Sequence, residues 1–172
     1  MRILGIDPGY GTLGWAVIED SFSITGCGAV ETAPGLSMEE RLLHIHRSLA
    51  EIIEQYKPAR AAIEKLYFSR NTTTALDVAK AMGVVMLTIR LYGLECAEYS
   101  PSQVKRAITG YGKAGKGQVR DMITRILRAP GMKGRDDVFD ALAIAACHCL
   151  CSPGCAHRRA RTSRDAMRQE LT

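Results

Sequence analysis

The chain has 172 residues, of which 47% are hydrophobic and 24% charged, and its formal net charge is +5. That length holds one compact domain with a sizeable core and leaves no room for a second large lobe. No apolar run reaches the roughly 18 residues of a membrane span. The N-terminus passes from one basic residue into an apolar segment without a small-residue cleavage site, so neither a membrane anchor nor secretion is expected, and the expected location is cytoplasmic.

Six cysteines in a chain able to build its own core read as reduced thiols rather than as a disulfide scaffold. The basic balance favours an anionic partner such as nucleic acid. The charge is unevenly placed. Arg158, Arg159, Arg161, Arg164 and Arg168 stand against only Asp165 and Glu170, so residues 151–172 read as a basic, flexible tail behind a domain of residues 1–150.

Residues 2–7 form an apolar segment that ends at Asp7 in the turn DPGYG, and residues 13–19 and 23–30 supply two more strand-like runs joined by short polar turns. Three such runs predict a meander. Leu42, Leu43, Ile45, Leu49, Ile52 and Ile53 recur at helical spacing through residues 38–56, and Pro58 closes that helix. His44 and His46 leave it in different directions and read as surface residues. Strand character returns at residues 61–64. A strand, a helix and a strand with short connections pack as a right-handed crossover, so this fourth strand is expected parallel to the first.

Between residues 73 and 91 apolar side chains nearly encircle a helix, more than one sheet face can bury. Either the other helices cover the remainder or a second copy of the chain does. A short strand at 95–99 follows, then a helix capped by Ser100 with Pro101 at its first position. A loop rich in glycine and lysine spans 110–117, and helices are expected at 118–127 and from 136 to about 149. Three strands followed by alternating helix and strand predict an α/β fold with a mixed sheet.

Asp7 stands where the first strand ends, and Glu64 at the same end of the fourth. In open α/β sheets ligands bind at the carboxyl ends of parallel strands, so these two carboxylates are expected side by side there. Taken singly, Asp7 also suits a turn cap and Glu64 a solvated strand end. In RDDVFDALAIAACH, Asp137 and Asp140 are three apart and share a helix face near its N-terminus, where the dipole tolerates negative charge. Asp136 lies four from Asp140, so spacing alone does not choose between Asp136 and Asp137. Carboxylates converging on one sheet edge repel unless cations neutralise them, and oxygen-only ligands point to magnesium or manganese. Two such ions about 3.5–4 Å apart can activate water on one side of a phosphodiester and stabilise the leaving oxygen on the other.

The strings ILGIDPGYGTLGWAVIE, AIEKLYFSRN, YSPSQVKRAITGYGKAGKGQV and DDVFDALAIA occur in the order found in bacterial crossover-junction endodeoxyribonucleases, and over residues 1 to about 150 the chain resembles that family, the RuvC family. The resemblance implies an RNase H-like fold with a five-stranded mixed sheet flanked by helices, and a homodimer that nicks four-way (Holliday) junction DNA symmetrically in recombination and repair. It implies two Mg2+ per subunit, with Mn2+ as a substitute, held by the catalytic acids Asp7, Glu64, Asp137 and Asp140. It thereby chooses Asp137 over Asp136. It further implies DNA contacts at Lys105 and Lys116 near the scissile phosphate, at Tyr67 against an unpaired base, and cooperation with a branch-migration helicase complex of the RuvA and RuvB type. Arg70, Asn71 and Lys113 are further candidate DNA contacts. Each of these residues also has a purely structural reading: surface for the lysines, core for Tyr67, loop for the others.

Three other signals are weaker. GYGKAGK over 110–116 matches the first positions of a phosphate-binding Walker loop, but Gly117 replaces the Ser or Thr and a helix precedes it, so a loop gripping a DNA backbone explains it better. The opening GIDPG also begins the phosphate loop of actin-like ATPases, which need two lobes; a non-catalytic nucleic-acid-binding module on the same fold is the other alternative. Cys147, Cys149, Cys151 and Cys155 with His148 and His157 gather soft-metal ligands, but their spacing fits no common zinc template, and buried thiols explain most of them.

Overall fold

The computed structural model describes residues 1–66 and 72–152. Strands β1 (Arg2–Asp7), β2 (Thr12–Glu19), β3 (Ile24–Glu31), β4 (Arg60–Glu64) and β5 (Glu95–Tyr99) form one mixed sheet in the order β3-β2-β1-β4-β5. The first three strands are the expected antiparallel meander, and β4 pairs parallel with both β1 and β5. The helices are α1 (Met38–Tyr56), α2 (Thr72–Leu91), α3 (Pro101–Thr109), α4 (Lys116–Ile126) and α5 (Asp136–Cys151). Among the described residues no helix is long and apolar enough to cross a membrane.

Alternation along β1 divides the core. Leu4 and Ile6 face the layer made by α1 and α2, where Ile45, Leu49, Ile53, Val85 and Ile89 are buried. Ile3 faces the opposite layer, packed with Leu142, Ile144 and Ala145 of α5 and with Val104 and Ile123 of α3 and α4. By the two-residue period of a strand, Asp7 shares the face of Ile3, and Glu64 shares that of Ala62, which packs in the same layer.

Helix α5 lies closer to the sheet than side chains would ordinarily allow. A Cβ at Gly5 would stand 2.3 Å from the Ala141 carbonyl oxygen and 2.8 Å from the Ala145 Cβ, and one at Gly14 would stand 2.1 Å from the Asp137 carbonyl oxygen. Gly14 is the ladder partner of Asp7. The start of α5 is thus laid over the point in the sheet where the first acidic residue emerges.

Local chemistry accounts for the element ends. Ser37 and Ser100 close capping boxes with Glu40 and Gln103, and Lys57 ends α1 in the left-handed conformation, just before Pro58. The glycine-lysine loop is shorter than expected, because α4 begins at Lys116: Gly115 holds the extended N-cap conformation and its N–H donates to Gln118 Oε1 at 2.9 Å. Gly117, a poor helix former, masks that start in the sequence. His44 is exposed, as expected, whereas His46 is not a plain surface residue. Its Nδ1 meets the buried Thr88 hydroxyl at 2.8 Å, and that hydroxyl donates to the Val84 carbonyl, so Nδ1 carries the proton and ties α1 to α2.

Gly5→Ala is expected to cost about 1–3 kcal/mol, the usual range for overpacking a core. The neighbours are backbone atoms, which cannot step aside as a side chain tip can. Thermal unfolding should show a midpoint several degrees lower, and an unchanged midpoint would mean that α5 rides over the sheet without penalty.

Candidate active site

Asp7 and Glu64 end adjacent parallel strands on the face covered by α5, and α5 brings Asp137 and Asp140 over the same edge. The electrostatics register this gathering. The Asp7 carboxyl is pushed up to about 7, first by burial and then by Asp140, Glu64 and Asp137, with Lys116 opposing. Glu64 is raised by burial and by Asp140, against Lys105 and Lys116. Asp140 is raised by burial and by Asp136 and Asp137, again against Lys116. Two like charges about 4 Å apart at an effective dielectric of about 20 repel by about 4 kcal/mol, so a cluster of this kind is stable only with protons or cations to neutralise it.

The chain supplies cations of its own. Lys116, on the first turn of α4, places Nζ 3.6 Å from Asp140 and 3.8 Å from Asp136. Its own ammonium is favoured in return, chiefly by Asp140. Asp136 also faces Arg120 at 3.9 Å, whose guanidinium lies over the Phe139 ring. Asp136 therefore looks toward the cations of α4. Asp137 turns the other way and pairs with Arg135 at 3.4 Å. As they stand, no three described Asp, Glu, His or Cys side chains form a ready-made ligand group. The carboxylates are near enough to perturb one another while lysine and arginine occupy two of them.

Between β4, α3, α4 and α5 opens a cleft of about 290 Å³. Glu64, Lys105, Lys116 and Asp140 supply its polar lining, and Val104, Val119 and Ile144 are among its apolar walls. Lys105 and Lys116 are thus brought to the acidic edge, from separate helices. Lys113 is exposed in the loop before α4 and does not line the cleft. Tyr67, Arg70 and Asn71 lie outside the described residues, as do Cys155, His157 and the arginines from Arg158 onward.

Arg120 and Arg135 are participants that the sequence did not single out. Arg120 is four residues beyond Lys116 and so on the same helix face, a signal available in principle; Arg135 gains its place only when α5 starts beside the β2–β3 ladder. The cysteine-rich end of α5 gives no zinc site among the described residues. His148 is engaged by the Tyr99 hydroxyl at 3.0 Å, and burial followed by Cys151 pushes the Cys147 thiol up, away from the thiolate that zinc requires.

The raised Asp7 pKa has a definite sign for stability. The folded state holds this proton more tightly than the unfolded chain, whose value is 3.8, so the contribution is full below that pH and is lost as pH rises toward about 7. Glu64 and Asp140 act in the same direction. In chelator, the thermal midpoint should therefore fall as pH rises across that window. Asp7→Asn should flatten the fall and unfold at a higher temperature than the unsubstituted protein above pH 7; a parallel profile in the variant would contradict the burial of this charge.

Comparison with known proteins follows the same lines. A family described as "Crossover junction endodeoxyribonuclease RuvC" matches residues 3–148. The crossover junction endodeoxyribonuclease RuvC of Roseiflexus sp. (strain RS-1) is 45% identical over 155 residues, 88% of this chain and 92% of the relative. That of Pelotomaculum thermopropionicum is 43% identical over 151 residues, 86% of this chain and 92% of the relative. The solved structure of Thermus thermophilus RuvC in complex with Holliday junction substrate superposes with a TM-score of 0.81 at 32% identity, covering 87% of this chain and 93% of that one. The shared fold is RNase H-like, a five-stranded mixed sheet flanked by helices. From the meander at its start to the acidic helix near its end, this chain belongs to the RuvC family of crossover junction endodeoxyribonucleases.

Proposed function

We propose that the chain resolves Holliday junctions by metal-dependent, symmetric nicking of DNA strands in recombination and repair, with Asp7, Glu64, Asp137 and Asp140 as the catalytic metal ligands. The observation that carries the chemistry is the gathering of Asp7 and Glu64, at the carboxyl ends of adjacent parallel strands, with Asp137 and Asp140 of α5 over the same edge, close enough that burial and the three other acids push the Asp7 carboxyl up. Such a group gains most from a divalent cation, which removes both the proton and the repulsion. The donor set is all oxygen, which fits Mg2+, with Mn2+ as a substitute, and not a soft metal. Two such ions per subunit would supply an activated water and charge stabilisation at the leaving oxygen.

The remaining roles belong to the chain. Lys105 and Lys116, which both line the cleft, are suited to hold the scissile phosphate and the charge that develops on it. Lys113 contributes a phosphate contact from the preceding loop. Tyr67 stacks on an unpaired base, and Arg70 and Asn71 contact DNA beside it. Residues 1–150 are the nuclease domain, and residues 151–172 form a basic tail adding salt-sensitive affinity for the DNA backbone. The protein acts in the cytoplasm with a branch-migration helicase complex of the RuvA and RuvB type.

Two cuts on one symmetric junction call for two sites, and the outer face of α2 supports a homodimer. Leu76, Leu87 and Leu91 are 59%, 59% and 66% exposed, and Met86 is exposed beside them. Leu87→Glu together with Leu91→Glu should weaken self-association by more than about tenfold, since apolar residues at the centre of an interface carry most of its energy. Sedimentation velocity would then record a folded monomer, and persistence of the dimer would place the interface elsewhere.

The deciding assay uses a synthetic four-way junction with Mg2+. Asp7→Asn should reduce single-turnover cleavage more than about a hundredfold, the scale on which loss of transition-state charge stabilisation is felt, and should leave gel-shift binding of the junction nearly unchanged. Cleavage at the unsubstituted rate would refute the site, and a junction bound but never cut by the unsubstituted protein would refute the activity.

A further inference from the structure

Arg135 occupies a position that neither the sequence motifs nor the proposed reaction uses. It is the N-cap of α5 in the extended conformation, and its carbonyl accepts from the N–H groups of Val138 and Phe139. Its guanidinium leaves the helix and joins three groups. Nε stands 3.4 Å from Asp137 Oδ2, one terminal nitrogen donates to Glu31, and the other reaches the Thr12 hydroxyl at 3.4 Å. Thr12 and Glu31 are ladder partners at the end of the β2–β3 pair. One guanidinium therefore spans two carboxylates, Asp137 inside the acidic cluster and Glu31 outside it.

A guanidinium is a planar fork of donors, so one side chain can hold Asp137 and Glu31 at the same time. The Arg135 side chain is 53% exposed and that of Asp137 35%, so the pair is open to solvent and to ions. The second contact at Glu31 means that letting go of Asp137 costs one ion pair while the side chain stays anchored by the other.

We propose that Arg135 is a resident counter-ion of Asp137: it holds that carboxylate neutralised and oriented in the metal-free protein and competes with the divalent cation for it. Arg135 is then a positioning residue acting through Asp137, and Glu31 is the post to which it remains tied when the cation takes its place. This rests on the reading of Asp137 as a metal ligand. Lys116 stands in a comparable relation to Asp140, but it faces Asp136 as its second partner and lines the DNA-facing cleft, whereas Arg135 has its second partner on the far side of the sheet edge.

The test is Mn2+ binding by titration calorimetry on the full chain without DNA, for the unsubstituted protein, Arg135→Gln, Asp137→Asn and the double variant. Removing the competitor should tighten Mn2+ binding about two- to fivefold, the range of a partly exposed ion pair. In the Asp137→Asn background the same change should have no effect. Arg135→Lys, which keeps the charge but loses the fork to both carboxylates, should lie between the unsubstituted protein and Arg135→Gln. Unchanged or weaker Mn2+ binding in Arg135→Gln, or an equal gain with and without Asp137, would overturn the proposal while leaving Asp137 as a ligand. Failure of Asp137→Asn to weaken binding at all would overturn the ligand reading and this inference with it. Thermal unfolding of each variant separates these outcomes from loss of the fold.

Discussion

The geometry of this protein depends on how closely α5 can approach β1 and β2. Two glycines, Gly5 and Gly14, remove the side chains that would hold the helix away, and the alanines at 141 and 145 remove the corresponding bulk on the helix. Nearly every residue from Val138 to Cys149 is buried as a result. An ordinary helix–sheet spacing would lift the first turn of α5 and separate Asp137 and Asp140 from Asp7. The acidic cluster is therefore a consequence of a packing solution, and Asp137 and Asp140 sit at the start of a deeply buried helix.

Around that buried centre the cations are differently mounted. Lys116 and Arg135 project from helix starts, and their side chains are 73% and 53% exposed. They can follow a substrate or leave a carboxylate without disturbing the core. On the reading proposed above, fixed acids and exposed bases would divide the work that a phosphodiester demands, since the metal positions must be fixed while the nucleic acid arrives in many geometries.

Much of this was legible in the sequence, for identifiable reasons. The strand ending at Asp7, the parallel return to Glu64 and the apolar helix carrying Asp137 and Asp140 are each set by local periodicity and by the handedness of crossovers. The choice of Asp137 over Asp136 was not available from spacing and came from family resemblance; in the structure Asp137 pairs with Arg135 and Asp136 with the cations of α4. Harder to read were contacts made by residues far apart in the chain. Arg135 meets Glu31 across 104 positions, and His46 meets Thr88 across 42, and neither pair leaves a local pattern. The start of α4 at Lys116 was hidden for the opposite reason, a local signal at Gly117 that tertiary packing overrides.

The balance of charge at the sheet edge has a thermodynamic consequence. Asp7, Glu64, Asp136, Asp137 and Asp140 are answered by Lys105, Lys116, Arg120 and Arg135, so the chain's own side chains make a nearly neutral patch rather than an acidic one. A polyanion meets little repulsion there even before any ion enters. On the reading proposed above, each divalent cation bound there would shift the patch toward positive and strengthen its hold on phosphate, and reciprocity of linked equilibria would require phosphate to strengthen the hold on the cation by the same factor. Metal and nucleic acid would in this way be obliged to arrive as cooperative ligands.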